Sequence, residues 1–167
     1  PEPFRDCADC PSMVWIPGQA FAMSQYEITI AQWNACIADH GCPSGGLPIP
    51  GPGDHPITNF SGAPIDYLEW LSRRTGHRYR LPTRDEWGAA AFPGGRPQIY
   101  YWGNEAPVCE RGARNGVAFS ACATQGALPV GSFQPNAFGL YDVLGNAAEM
   151  ATPNAPDYEG DAITSLG

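Results

Sequence analysis

Charge is scarce in this sequence. Only 16% of its residues are charged, no basic run forms, and the formal net charge is −8. An acidic chain of this kind repels polyphosphates and anionic lipid, so nucleic acid and anionic membrane surfaces are excluded as natural partners. Long apolar runs are missing too: nothing approaches the ~20 residues needed to cross a bilayer. No secretory leader opens the chain; one is expected to have been removed or to lie outside this sequence. Familiar catalytic signatures are also absent. There is no nucleophile elbow, no His-Glu-x-x-His, no phosphate-cradling glycine loop, and the three histidines are scattered. His55, alone in a loop, reads as a solvated side chain and takes no role.

What the sequence has in excess is glycine and proline, 20 and 18 of 167 residues, together with five Trp, seven Tyr and seven Phe. The first pair predicts many turns and short regular elements; the aromatics supply enough core material to exclude disorder. One domain over residues 1–167 is the expectation at this length. Six cysteines fall into three near neighbours: Cys7 with Cys10, Cys36 with Cys42, Cys109 with Cys122. Fifteen pairings are open to six cysteines, and the nearest-neighbour scheme is the one we adopt. An even count in a loop-rich chain favours an oxidising compartment, periplasmic or secreted. Cys7-Ala8-Asp9-Cys10 could instead be a redox motif or half a zinc site. Neither a second Cys-x-x-Cys nor a surrounding strand–helix unit supports those readings.

Taken in order, Met13-Val14-Trp15-Ile16 predicts a short buried strand stopped by Pro17-Gly18. Thr29 caps a helix over residues 30–39, with Ile30, Trp33 and Ile37 on one face and Gly41 closing it. Pro43 to Pro56 is a surface loop. Ser61 opens a second helix to Thr75 with Ile65, Leu68 and Leu71 buried, Tyr67 and Trp70 flanking, and Glu69–Arg73 paired at i,i+4. Residues 78–81 are extended. Thr83 and Glu86 form a capping box for a third helix over 84–91, and capping is preferred over catalysis for that polar pair. Tyr100-Tyr101-Trp102-Gly103 reads as an aromatic strand end, and Glu105 to Val130 as a long loop.

The stretch from Pro135 to Met150 alternates turn formers (Pro135-Asn136, Gly139, Gly145-Asn146) with apolar pairs and carries Asp142 and Glu149. Its backbone is predicted to be committed to turns, with carbonyls left over beside two carboxylates, a setting suited to a hard cation such as calcium. Two surface acids on a solvated turn are the plainer alternative.

Pro135-Asn136-Ala137-Phe138-Gly139-Leu140-Tyr141-Asp142, followed by Gly145-Asn146 and Glu149, resembles a signature of the formylglycine-generating enzyme (sulfatase-modifying factor) family. Arg78-Tyr79-Arg80-Leu81-Pro82-Thr83-Arg84-Asp85-Glu86-Trp87 resembles its second signature, an R-L-P-T-x-x-E-W run. Tyr26-Glu27-Ile28-Thr29 with Trp33, and Tyr101-Trp102-Gly103, match weaker landmarks. The resemblance implies an α+β, loop-rich, C-type-lectin-like fold with short helices around small antiparallel sheets, lacking the family's C-terminal part. It implies a structural calcium held by the carboxylates of Asp142 and Glu149 and the carbonyls of Gly145 and Ala147. A first calcium site would fall near Asn115 and Gly116, but its acidic partner has no match around Thr124-Gln125-Gly126.

Some positions depart from the family. Ala148 and Met150 stand where many relatives carry tryptophan. Phe21-Ala22-Met23 runs straight into Ser24, where relatives carry a longer connection, so either a loop is deleted or, as we prefer, residues have dropped out of the sequence. The family's oxidase binds copper through two cysteine thiolates beyond the region matched here, and soft thiolates suit Cu(I). None of the six cysteines occupies a matching position. Copper is therefore expected only if such a pair exists downstream, and as given the chain is not expected to be an enzyme. The resulting expectation is a non-catalytic extracytoplasmic module, binding or accessory, with a protein partner or larger assembly. The alternative is the N-terminal portion of an oxidase that converts a sulfatase cysteine to formylglycine.

Overall fold

A computed structural model describes residues 1–44, 47–58, 64–95, 98–122, 126–153 and the backbone of 162–163. Strands β1 (Met13–Trp15) and β2 (Ala22–Ser24) form an antiparallel pair, Met13 opposite Ser24 and Trp15 opposite Ala22. The turn between them places Gly18 at φ 78°, a left-handed conformation that glycine adopts without a Cβ penalty. β2 passes through Ala22-Met23-Ser24 unbroken and in register with β1.

β3 (Tyr79–Arg80) and β4 (Ala162–Ile163) complete a four-stranded sheet of order β1-β2-β4-β3. β4 runs parallel to both β2 and β3, so the sheet is mixed where antiparallel pairing was expected. Long excursions separate β2, β3 and β4 in sequence, and such crossovers permit parallel neighbours.

Alternation along the strands splits the core in two. Met13 and Ala22 join one buried cluster, Val14 and Met23 the other. Helices α1 (Ile30–Ala38) and α2 (Pro64–Thr75) build the first cluster, with Trp33, Ile37, Tyr67, Leu68 and Leu71. Helix α3 (Arg84–Ala91) and the turn-rich chain around Leu140 and Val143 build the second.

Thr29 and Thr83 each cap their helix in a reciprocal box, with Gln32 and Glu86. Gly41 does not close α1 through its dihedral; His40 takes the left-handed position at φ 58°. Gly41 is small for lack of space, since a Cβ there meets the Trp70 ring at 2.4 Å. The predicted start of α2 at Ser61 lies outside the described residues. Ile65, expected inside, is exposed, because Tyr67 and Trp70 take core positions. They shift the buried face to about 140° from Ile65 at 3.6 residues per turn. Glu69 and Arg73 pair at 3.6 Å on the surface, as expected. The aromatic run closes as a tight turn, Tyr100 bridging Gly103, rather than as a strand end. All three nearest-neighbour disulfides are present.

Candidate functional site

The chain from 135 to 150 contains no helix or strand, so its backbone polar groups need partners from elsewhere. Asn136 supplies several. Its amide donates to the carbonyls of Ala90 (2.8 Å) and Ala91 (3.3 Å) at the end of α3. Its Oδ1 accepts from the N–H groups of Phe138 and Leu140. Asn146 does the same further on, exchanging hydrogen bonds with both backbone groups of Leu128 while its own N–H donates to Ala118. Left-handed dihedrals at Asp142 (φ 55°), Gly145 (95°) and Asn146 (58°) turn the chain sharply. At Gly145 a Cβ meets the Ala118 carbonyl at 2.1 Å, so both space and dihedral require glycine.

Gly145, Ala147 and Glu149 line one groove with Arg84 and Trp87. Trp87 Nε1 donates to Glu149 Oε2. Asp142 is not on that groove. It is buried behind it, its Oδ2 accepting from the Gly131 N–H at 2.6 Å, and burial pushes its carboxyl up to about 6. Thus three of the four expected ligands share a surface and the fourth lies inward.

Sequence reading missed the carboxyl that links them. Glu27, 1% exposed, accepts from Ala147 N–H (2.8 Å) and from Asn146 Nδ2 (2.7 Å). Burial, then the Asp142 charge, push its carboxyl up to about 8 against the pull of those two hydrogen bonds, with Glu149 adding to the rise. The signals in the sequence were an acid wedged between Tyr26 and Ile28 and the match of Tyr26-Glu27-Ile28-Thr29 to a family landmark, neither of which places it at this loop.

Glu27 and Asp142 are desolvated, bonded by neutral N–H groups and close enough for their charges to disfavour one another, a setting whose oxygen donors are of the kind a divalent cation would take. The donor set therefore suits calcium in its chemistry. Among the described residues no three His, Cys, Asp or Glu side chains form a cage by themselves, so the carbonyls of Gly145 and Ala147 have to contribute. Near the other expected site, the Asn115 carbonyl accepts from Val108 and its amide donates to Ala106. Thr124 and Gln125 there lie outside the described residues.

Thr83 and Glu86 are engaged as a cap, and Arg80 grips Glu86 through two contacts of 2.7 and 2.6 Å. Burial raises the Glu86 carboxyl, but hydrogen bonds from Arg80 and Thr83 and the Arg80 charge outweigh it and hold it below the usual range. No cysteine of the chain is free. Among the described residues no helix is long and apolar enough to cross a membrane.

The family model of the sulfatase-modifying factor enzyme 1-like domain matches residues 5–160. Formylglycine-generating enzyme from Bos taurus is 30% identical over 115 residues, covering 59% of this chain and 27% of that protein. The enzyme of that name from Thermomonospora curvata is 36% identical over 109 residues, 59% of this chain and 36% of its own. The "inactive C-alpha-formylglycine-generating enzyme 2" of Mus musculus is 35% identical over 100 residues, 57% and 30%. The matched stretch is thus 27–36% of each relative's length. Among solved structures, PvdO from Pseudomonas aeruginosa shares the fold, with a TM-score of 0.53 at 20% identity over 96% of this chain and 85% of that one. With its turn-rich segment, its capped α3 and a family match running through nearly all its residues, this chain belongs to the sulfatase-modifying factor (formylglycine-generating enzyme-like) family.

Proposed function

We propose that this chain acts as a non-catalytic module of its family, a binding or accessory subunit working outside the cytoplasm. One observation carries the reading: Ala148 and Met150 stand beside Glu149 where many relatives carry tryptophan; the six cysteines of this stretch, all closed into local disulfides, are structural under either reading. Three disulfides also suit a periplasmic or secreted setting. Calcium at Asp142, Gly145, Ala147 and Glu149 is its structural brace, and a protein partner its working context.

The second reading, the N-terminal portion of a formylglycine-generating oxidase, draws on 30% and 36% identity to two formylglycine-generating enzymes, the same range as to the inactive relative. Incubation of the natural full-length protein with Cu(I), oxygen and a cysteine-bearing sulfatase peptide separates the two. Mass spectrometry is expected to show the peptide cysteine unchanged and a partner copurifying in fixed stoichiometry. Conversion of that cysteine to an aldehyde would overturn the non-catalytic reading.

A further inference from the structure

We infer that Glu27 is a positioning residue for the cation site: from beneath the loop it sets the relative orientation of the Gly145 and Ala147 carbonyls. This rests on the calcium reading above and extends it to a side chain 115 or more residues away in sequence.

Three successive peptide units carry the argument. The unit joining Gly145 to Asn146 is fixed because its N–H donates to Ala118 O at 2.8 Å; in a trans peptide the Gly145 carbonyl then points the opposite way. The next unit, joining Asn146 to Ala147, is fixed because its N–H donates to Glu27 Oε1 at 2.8 Å. That middle plane separates the two carbonyls assigned to the metal, so holding it limits the angle between them. Glu27 Oε2 is taken by the Asn146 amide, which also ties the loop to Leu128. Both carboxyl oxygens of Glu27 are thus engaged by N–H groups, and it acts behind the ligands rather than among them. Partners behind metal ligands of this sort typically contribute roughly 10–100-fold in metal affinity.

Glu27→Gln keeps the shape of the side chain but sets an amide against the Asn146 amide. Glu27→Gln/Asn146→Asp restores an acceptor for that amide and returns the formal charge to the loop. We would titrate the wild type and both variants with CaCl2 by calorimetry, and melt each in EDTA and in calcium. The wild type is expected to bind calcium, Glu27→Gln to bind at least about tenfold more weakly, and the double variant to recover part of the loss. Equal affinity of wild type and Glu27→Gln overturns the positioning role while leaving the calcium site standing. No binding heat and no calcium-dependent melting shift in the wild type overturns both. If Glu27→Gln does not fold in EDTA, Asn146→Ala, which removes a Glu27 partner and no assigned ligand side chain, is expected to weaken calcium binding in its place; unchanged affinity there has the overturning meaning.

Discussion

The two faces of the sheet are stabilised by different means. On the first, α1 and α2 satisfy their own backbone groups, so what they bury is mainly aromatic and aliphatic surface: Trp33 stacks on Tyr67 at a centroid distance of 5.4 Å, with Leu68 and Leu71 beside them. On the second, turns leave N–H and C=O groups without regular partners, and buried Asn136, Asp142 and Glu27 serve them instead. A face built from turns gains its order through buried polar side chains, and with them comes unbalanced charge. The first face is expected to be indifferent to calcium and pH, the second to respond to both.

The largest effect tests the first face. Trp33→Ala empties a fully buried site and is expected to cost about 3–5 kcal/mol in urea denaturation, equally in calcium and in EDTA. A strong calcium dependence of that loss would erase the distinction between the faces. Next comes chelation. Removing calcium that was present at a hundred times its Kd is expected to cost about 2.7 kcal/mol, a lowering of Tm by several degrees. Glu149→Ala is expected to produce a similar drop that EDTA does not deepen. An unchanged Tm after thorough EDTA treatment would count against the Asp142/Glu149 site.

A pH series sharpens the contrast further. Folding raises the Glu27 carboxyl from 4.5 to about 8 and that of Asp142 from 3.8 to about 6. Groups raised by folding contribute fully below their unfolded values and lose that contribution as pH climbs through the folded ones. In EDTA, stability is therefore expected to fall as pH climbs from about 4 to about 8. Calcium favours the charged forms and is expected to flatten the slope; urea midpoints at pH 5 and pH 8 measure it. The smallest effect is a control: Glu110→Ala, exposed and outside the site, is expected to stay within about 0.5 kcal/mol.

The local features of this fold were legible because their causes lie close together in sequence. Both capping boxes span three residues, and each disulfide closes a loop of 13 residues or fewer. Ile65 went astray because neighbouring aromatics, not periodicity alone, decide which face of α2 turns inward. The parallel strand β4 was hidden in a polar stretch with no alternating pattern, and its partners begin at Ala22 and Tyr79. The loop around Asp142 and Glu149 was visible as a cluster of turn formers and acids. Glu27 could not be placed with them, because nothing local says that an acid beside Tyr26 will meet an amide at residue 147.

That same distance has a kinetic meaning. β4 sits between β2 and β3, so the centre of the sheet is filled by the latest in sequence of the four described strands. Until it arrives, β2 and β3 each present an unpaired edge, while β1, α1 and α2 can already assemble through nearer contacts. The nascent chain thus passes through a stage with an open slot for any extended segment of suitable length. Its safe folding depends on closing that slot with its own strand before another chain does.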